Sequence, residues 1–327
     1  MKTIQFLTHN YHPITENYLK GFTPKSSGII DDYKLVFNQK VAECDYLVVF
    51  DHLPADIMPV KCSVKNTILI LGEGKETSHY SVSFKNQFSH VITCQKDLEV
   101  KGIKFVHALG LAWFPLRTYD ELKKTSFVEK TKDIVIIISN RTETELHRKR
   151  IDFCLKLKEY FGDKIDFFGR GFHEFHDKWD VLAPYKYAIT IENAVEDHWI
   201  TEKLTDCFVT HTYPFYYGCP NVGEYYDANS YSLIDIDNFE KTCNHINDVL
   251  NDSTHYQHHL DSVIQSKNAY MDKYLLFPMV VSYIENHLKN QVSLPKEKLN
   301  FRQNDFGQVI IEQTLFEKVK GILSKLF

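Results

Sequence analysis

Two groups of polar residues lie at either end of one short loop. Glu192-Asn193 follows the apolar run Tyr187–Ile191, and Thr201-Glu202-Lys203 opens an amphipathic stretch. Buried strands and following helices bind phosphates where the strand ends and the helix begins, because free N–H groups and a partial positive charge meet there. Lys203 would add a full positive charge, and the Glu202 carboxylate could accept hydrogen bonds from ribose hydroxyls. The spacing therefore predicts a site for a nucleoside diphosphate.

The same segment resembles the signature of glycosyltransferase family 10, the α1,3/4-fucosyltransferases. That signature runs from a strand through Glu-Asn and Thr-Glu-Lys to Pro and a Gly-x-Pro turn. Glu192-Asn193, Thr201-Glu202-Lys203, Pro214 and Gly218-Cys219-Pro220 stand at the corresponding places. The alternative interpretation is an ordinary strand followed by a capped helix, with Glu202 as a first-turn carboxylate.

The resemblance implies a set of residues that bind the donor sugar nucleotide. Trp199 stands where family members often have a tyrosine, and this difference would reshape the pocket around the sugar. The implied donor-binding residues in this segment are Asn193, Trp199, Thr201, Glu202 and Lys203.

An arginine at the start of the second half of the chain completes the implied donor site. Ser139-Asn140 followed by Arg150 resembles the place of the family arginine that contacts the donor diphosphate, a task that suits a planar guanidinium. Arg148 is the alternative, since it lies two residues away. Either side chain could instead lie on a solvated helix face.

A glutamate in the first third resembles the general base of the family. Gly72-Glu73 follows the apolar run Thr67–Leu71, and bacterial members carry Gly-Glu-Asn there. The resemblance implies that Glu73 removes the proton of the acceptor hydroxyl. Gly74 replaces the family asparagine, Glu76 is a nearby competitor, and the plain alternative is an exposed loop carboxylate.

Short apolar runs separated by polar stretches predict the elements that hold these residues. In the first third they predict buried strands of a mostly parallel sheet. The predicted strands are Ile4–Leu7, Tyr46–Phe50, Thr67–Leu71, His90–Cys94 and Phe105–Leu109.

A second α/β series begins after the charged stretch Trp113–Lys132, which is interpreted as a linker. It contains predicted strands and helices, and from Asn238 to Asn290 the chain is predicted to be largely helical. The predicted strands are Asp133–Ser139, Ile165–Phe168, Tyr187–Ile191 and Phe215–Tyr217, and the predicted helices are Thr142–Tyr160 and Thr201–Val209.

Together these patterns predict an α/β protein of two Rossmann-like domains facing across a cleft, the glycosyltransferase-B type of fold. The predicted acceptor-side domain spans residues 1–125 and the predicted nucleotide-sugar domain spans residues 126–295. Residues 296–327 form a tail, in which Leu315–Phe327 has an apolar stripe opposite lysines. That stretch suits a helix that either packs on the chain or lies on an anionic membrane surface.

Composition excludes several other classes. With 327 residues and a formal net charge of −5, the chain is not expected to bind nucleic acid. None of its seven cysteines lies at CxxC spacing, so buried free thiols are expected. The N-terminal sequence has no apolar run long enough for a signal peptide or an anchor, so a cytoplasmic location is expected, with peripheral membrane contact through the tail as an option.

Two motifs that suggest metal binding are given other interpretations. Asp235-Ile236-Asp237 has the D-x-D form, but Asp237 is interpreted as a turn or cap residue. His255, His258 and His259 have helical spacing, and a solvated helix face is the preferred interpretation. No metal and no cofactor is therefore expected in the site.

The sequence and the resemblance together imply an inverting fucosyltransferase. It would move L-fucose from GDP-fucose to a hydroxyl of an acceptor glycan, in α1,3/4 linkage. The rival functions are transfer of another GDP-activated deoxy or amino-dideoxy sugar, and non-catalytic binding of a sugar nucleotide. The expected partners are a GDP-sugar donor and a glycan acceptor such as a lipopolysaccharide, and the oligomeric state is left open.

Overall fold

The computed structural model describes residues 1–9, 16–54, 60–75, 80–110, 113, 115–290 and 295–302. These residues divide into two compact units. The first comprises residues 1–20, 27–107 and those from 283 onward, and the second comprises residues 21–26 and 108–282. The boundaries differ from the predicted domains 1–125 and 126–295. The prediction divided the chain into consecutive segments, so it could not show that the chain returns to the first unit at residue 283.

The first unit contains a sheet of seven strands in the order β2-β3-β1-β4-β6-β7-β8. Its pairs are parallel except for the antiparallel pair of β2 with β3. A separate antiparallel pair joins β5 to β14. The strands are β1 Lys2–Thr8, β2 Ile29–Ile30, β3 Tyr33–Phe37, β4 Tyr46–Phe50, β5 Val60–Cys62, β6 Thr67–Leu71, β7 His90–Thr93 and β8 Ile103–Val106, with β14 at Glu297–Leu299.

Apolar, β-branched sequence explains the central strands of this sheet. Ile68–Leu71 of β6 is fully buried, as expected for a parallel strand covered on both faces. The strand predicted at Phe105–Leu109 lies instead at Ile103–Val106, because β8 pairs with β7 in the register Ile103 to His90 and ends where β7 ends.

The second unit contains a wholly parallel sheet of five strands in the order β10-β9-β11-β12-β13. Strands β9, β11 and β12 are neighbours in the middle of the sheet, so their carboxyl ends share one edge. The strands are β9 Lys132–Ile137, β10 Ile165–Phe168, β11 Tyr185–Ile191, β12 Tyr213–Tyr217 and β13 Ser232–Leu233.

The helices begin at polar capping residues and bury one apolar face. Thr144 caps α4, Thr201 caps α5 and Asn238 caps α6, each by accepting a hydrogen bond from a backbone N–H of the first turn. The helices are α1 Glu16–Lys20, α2 Val82–Lys85, α3 Tyr119–Lys124, α4 Glu145–Phe161, α5 Glu202–Val209, α6 Phe239–Asn251, α7 His255–Ala269 and α8 Leu276–His287, with a π-helical turn at Tyr270–Tyr274.

The predicted linker Trp113–Lys132 is wrong where the chain forms helix α3. Helix α3 begins there after Thr118, which forms a capping box with Glu121, and Leu122 is fully buried. Trp113 is also buried and packs edge-on against Phe22. Several charged residues of this segment therefore belong to a helix of the second unit, which packs through Leu122.

The other sequence expectations concern the cysteines and the tail. All seven cysteines are buried free thiols, as predicted. In the part of the chain that the structure describes, no helix is both long and apolar enough to cross a membrane. Leu315–Phe327 lies outside the described residues.

Candidate functional site

The candidate site lies at the carboxyl edge of the sheet in the second unit. Strands β9, β11 and β12 end there side by side, and Ser139, Glu192 and Gly218 follow them within one or two residues. Ten residues separate the end of β11 from the start of α5, and the first turn of α5 returns to the same edge. In open parallel sheets this edge is where ligands bind.

Glu192 ties the end of β11 to the start of α5. Its carboxylate is fully buried and accepts two hydrogen bonds from Thr201, one from the backbone N–H at 2.9 Å and one from the hydroxyl at 2.6 Å. The Thr201 hydroxyl oxygen in turn accepts from the backbone N–H of Lys203 at 3.3 Å, which caps the helix. The buried Glu192 carboxylate therefore joins the two ends of the loop that runs from Glu192 to Thr201.

Gly218 makes room for that carboxylate. A Cβ atom at this position would lie 2.4 Å from Cγ of Glu192 and 2.7 Å from the Tyr216 hydroxyl. The backbone N–H of Glu192 donates to the carbonyl of Tyr217 at 2.9 Å, which holds the two strand ends together. The glycine of the Gly-x-Pro turn is thus required by the packing of the glutamate in the Glu-Asn pair.

Lys203 lies between two carboxylates. Its ammonium is 3.2 Å from Oε1 of Glu202 and 3.4 Å from Oε2 of Glu192, and it donates to the Thr201 hydroxyl at 3.0 Å. A quarter of its side chain remains exposed. Burial lowers the pKa of Lys203, but the two carboxylates outweigh burial and the pKa is raised.

The pKa values of the two carboxylates are shifted in opposite directions. Burial raises the pKa of Glu192, and the attraction of Lys203 offsets this only in part. Burial also acts to raise the pKa of Glu202, but Lys203 and Lys178 together hold that pKa below its usual value. Glu202 is therefore the firmly ionised partner of Lys203, and Glu192 is the carboxylate that protonates more readily.

Trp199 is part of the site through Asn193. Its ring is buried, and its Nε1–H donates to Oδ1 of Asn193 at 3.1 Å. The preceding residue, His198, has a positive φ of 62°, and a hydrogen bond of 2.6 Å joins its Nδ1 to the Tyr225 hydroxyl. Trp199 thus orients the Asn193 amide, and only a small part of its ring reaches the surface.

Arg150 and Arg148 have different surroundings, although both lie on α4. Arg150 is buried, donates to the Ser139 hydroxyl at 3.3 Å, and has no hydrogen-bond partner for Nε among the described residues. It lies within electrostatic range of Glu192 and Lys203. Arg148 is exposed and donates to the carbonyl of Thr142. Of the two predicted alternatives, the structure therefore brings Arg150 to the site.

A second buried ion pair supports the same region and was not predicted. Lys178 donates to Oδ2 of the fully buried Asp206 at 2.7 Å. Burial lowers the pKa of Lys178, but Asp206 and Glu202 outweigh it and the pKa is raised. Lys178 and Lys203 both line one small pocket beside β11. No spacing in the sequence distinguishes Lys178, because its partner lies 28 residues away.

The turn after β10 was also missed as part of this edge. Gly169 has a φ of 134° and its absent side chain leaves room for the carbonyl of Ile138, which would lie 1.8 Å from a Cβ atom. Gly171 approaches the side chain of Asn140 in the same way. The Gly169-Arg170-Gly171 sequence was the available signal, since paired glycines mark a close approach of backbone segments.

Glu73 lies in the first unit, whereas the predicted donor-binding residues belong to the second unit. It follows β6, is half-buried, and its carbonyl accepts a hydrogen bond from the Gln95 side chain at 3.0 Å. The neighbouring Asp51 accepts hydrogen bonds from the Gly72 backbone and the Tyr80 hydroxyl, and burial raises the pKa of Asp51 to about 7. Glu76 lies outside the described residues.

The residues that suggested metal binding have other partners. Among the described residues, no group of three or more histidines, cysteines and carboxylates could hold a metal ion. The Asp237 N–H donates to Oδ1 of Asp235 in a turn, as predicted, and the Asp237 carboxylate pairs with Lys149. His255 and His259 pack against the Tyr213 ring, so they do not form the solvated face that was expected.

Comparison with known proteins gives a family match over the second unit. The model of the glycosyltransferase family 10 (fucosyltransferase) C-terminal domain matches residues 127–272. The alpha-(1,3)-fucosyltransferase FucT of Helicobacter pylori is 26% identical over 121 residues, which are 35% of this chain and 25% of that protein. The GDP-fucose protein O-fucosyltransferase 3 of Danio rerio is 38% identical over 58 residues, 18% of this chain and 13% of that protein.

Solved structures show the same fold over nearly the whole chain. A crystal structure of an alpha1,3-fucosyltransferase has a TM-score of 0.55 at 16% identity and covers 92% of this chain and 93% of its own. A crystal structure of an alpha1,3-fucosyltransferase with GDP-fucose has a TM-score of 0.51 at 16% identity, covering 90% and 93%. At this identity the likeness shows the fold, which is the predicted glycosyltransferase-B type with two Rossmann-like units.

The aligned region covers a quarter or less of the length of the curated relatives. The matched residues nevertheless include every predicted donor-binding position, from Arg150 to Lys203. Residues 127–272 of this chain are therefore similar to the C-terminal domain of glycosyltransferase family 10.

Proposed function

We propose that this protein is an inverting glycosyltransferase that moves L-fucose from GDP-fucose to a hydroxyl of an acceptor glycan, in α1,3/4 linkage. The observation that carries the proposal is that Lys203, at the first turn of α5, lies within electrostatic range of the buried Arg150, whose Nε–H lacks a partner among the described residues. A buried donor without an acceptor is costly unless a ligand supplies one. A diphosphate would supply it.

The donor would lie along the carboxyl edge of the second sheet. Its diphosphate would accept hydrogen bonds from Arg150 and Lys203, and Glu202 would accept from the ribose hydroxyls. Asn193 would contact the donor with its amide held by Trp199, as the 3.1 Å hydrogen bond between them suggests. The names of two relatives support GDP-fucose as the donor. One is an alpha-(1,3)-fucosyltransferase, and the other is a GDP-fucose protein O-fucosyltransferase.

The chemistry would be a single displacement at the anomeric carbon. Glu73 would remove the proton of the acceptor hydroxyl, the hydroxyl oxygen would attack, and GDP would leave from the opposite face with inversion of configuration. Negative charge grows on the diphosphate as the bond breaks, so Arg150 and Lys203 would stabilise the transition state more than the bound donor. These cations make a metal unnecessary in the proposed site.

Calorimetry with purified protein tests the donor site. GDP-fucose should bind with the same affinity with and without a chelator, and UDP-glucose should bind far more weakly. Lys203→Ala should weaken GDP-fucose binding by about 1.5–3 kcal/mol, the value of a hydrogen bond to a charged group. Lys186→Ala is the matched control, since that lysine lies in the same unit and pairs with Asp133 on the surface. Binding lost in chelator, or unaffected by Lys203→Ala, would refute the proposed site.

Another GDP-activated deoxy or amino-dideoxy sugar is the second candidate donor. Trp199 in place of the family tyrosine favours it, because this ring holds the amide beside the proposed sugar position. A panel of GDP-sugars in a transfer assay separates the two donors by their kcat/KM. Binding of a donor without transfer or hydrolysis of any would instead support a non-catalytic module.

The proposed working place is the cytoplasmic face of a membrane, where a lipopolysaccharide or a related glycan is the acceptor. The alternation of apolar residues and lysines in Leu315–Phe327 supports this proposal. Deletion after Thr314 should leave transfer to a soluble acceptor near normal and should reduce binding to anionic liposomes. Unchanged liposome binding would remove the tail from the proposal.

A further inference from the structure

The charge of Lys203 is already shared by two carboxylates. Its ammonium donates hydrogen bonds to the Thr201 hydroxyl at 3.0 Å and to Oε1 of Glu202 at 3.2 Å, and it forms an ion pair with Oε2 of Glu192 at 3.4 Å. A lysine ammonium carries three N–H groups, so a phosphate oxygen can bind the third. A phosphate bound there competes with Glu192 for the positive charge of Lys203.

Glu192 cannot follow Lys203 or turn to solvent. Its side chain is fully buried, both oxygens accept hydrogen bonds from Thr201, and Gly218 and Tyr216 close the space around its Cγ. An ionised carboxylate that loses its counter-charge at such a position is strongly destabilised. Protonation removes that cost without moving the side chain.

The other groups around Glu192 do not compensate for the loss. Arg150, on α4, also lies within electrostatic range of Glu192, and the donor diphosphate would engage it as well. Glu202 adds a like charge. Tyr216 and Cys219, on β12 and the turn after it, have pKa values raised by burial, so they are neutral near pH 7.

We propose that Glu192 is a positioning residue that shares Lys203 with the donor: it holds Lys203 and Thr201 in the unliganded site, and it takes up a proton from solvent when the donor diphosphate binds Lys203. The proposal rests on the proposed function, because it requires a diphosphate at Lys203. The raised pKa of Glu192 and the lowered pKa of Glu202 agree with it, since they make Glu192 the carboxylate that gains the proton.

Calorimetry in two buffers of different ionisation enthalpy measures the proton directly. GDP-fucose is titrated into the full-length protein at one pH, and the difference in heat gives the number of protons taken up for each ligand bound. GDP-fucose is preferable to GDP, because the terminal phosphate of GDP itself titrates at about pH 6 and would contribute to the measured proton uptake. We expect uptake of a fraction of one proton by the wild-type protein and none by Glu192→Gln, which keeps the size of the side chain and an oxygen for the Thr201 N–H.

Glu202→Gln is the matched control, because it removes the other carboxylate beside Lys203. Binding by this variant is expected to be weaker, but proton uptake for each ligand bound should remain. A merely structural role for Glu192 would not distinguish these two variants. Uptake that persists in Glu192→Gln, or that is lost in Glu202→Gln, overturns the proposal.

The wild-type protein alone gives a second measurement, which stands if Glu192→Gln fails to fold. The Kd for GDP-fucose should rise with pH, by up to about tenfold per unit, over the range in which Glu192 is ionised in the free protein and protonated in the complex. A Kd independent of pH from 5 to 9, with no proton uptake, overturns this inference and leaves the proposed function intact. No binding of GDP-fucose by the folded wild-type protein at any pH overturns both.

Discussion

Replacement of Gly218 by alanine tests the packing on which the candidate site depends. The new Cβ atom would lie 2.4 Å from Cγ and 2.8 Å from Cβ of Glu192, and 2.7 Å from the Tyr216 hydroxyl. Glu192 cannot move away freely, because Thr201 holds both of its oxygens. Forcing a methyl group into a filled interior costs about 1–3 kcal/mol. At about 2–4 °C for each kcal/mol in a unit of this size, the Tm of the second unit should fall measurably.

The assay is differential scanning calorimetry of Gly218→Ala beside Gly223→Ala, followed by titration with GDP-fucose. Neither glycine has a positive φ, so the comparison isolates the steric effect. At Gly223 the nearest atom to a new Cβ is the Tyr231 hydroxyl at 3.5 Å, an ordinary contact. Gly223→Ala should therefore keep its Tm and its donor affinity, while Gly218→Ala loses both. Equal Tm values and equal donor affinities of the two variants would show that Glu192 does not fill the space beside Gly218.

Three further predictions concern other residues of the two units. Arg150→Ala should weaken GDP-fucose binding by about 1.5–3 kcal/mol in calorimetry, while the exposed Arg148→Ala has little effect, and the reverse order would assign the phosphate contact to Arg148. Glu73→Gln should lower turnover by about 10²–10⁴-fold at unchanged donor affinity, and full activity in this variant would exclude Glu73 as the base. The pKa of Asp51 is raised to about 7 by burial, so its contribution to the free energy of unfolding should decline as pH rises from about 4 to 7. Chemical denaturation of wild type and Asp51→Asn across that range should show the decline in the wild type alone.

The central strands could be predicted because their whole signal lies in their own sequence. Tyr46–Phe50 and Thr67–Leu71 are buried on both faces, and apolar runs of this length have few other uses. Strand Tyr33–Phe37 was missed because its buried residues alternate with less buried ones. Its period of two was the available signal, but it extends over only five residues.

Helix α3 was missed for a related physical reason. It has six residues, fewer than two turns, so no apolar periodicity can develop. The capping box of Thr118 and Glu121 was the one local feature that distinguished it from a linker. Composition alone cannot separate a charged linker from a short helix whose single buried residue, Leu122, anchors it.

The candidate site was predictable where its residues are close along the chain. Asn193, Thr201 and Lys203 belong to one strand–loop–helix passage, so spacing alone brings them to one edge. The pairing of Lys178 with Asp206 depends on how distant segments pack, and each residue alone resembles many surface charges. The burial of Glu192 also required the structure, because the sequence does not show that Gly218 leaves space for it.

The different surroundings of Arg150 and Lys203 imply different parts in the proposed reaction. Arg150 has a buried Nε–H without a partner among the described residues, so a bound diphosphate gains a new hydrogen bond there at once. Lys203 is already paired with Glu192 and Glu202, so a phosphate oxygen competes with these carboxylates for its charge, and it competes better as negative charge grows on the leaving diphosphate. Lys203→Ala should therefore lower kcat more than Arg150→Ala does, and Arg150→Ala should raise the donor Kd more. Single-turnover kinetics beside equilibrium binding separates the two quantities, and equal effects of both variants on kcat and on Kd would contradict this division of roles.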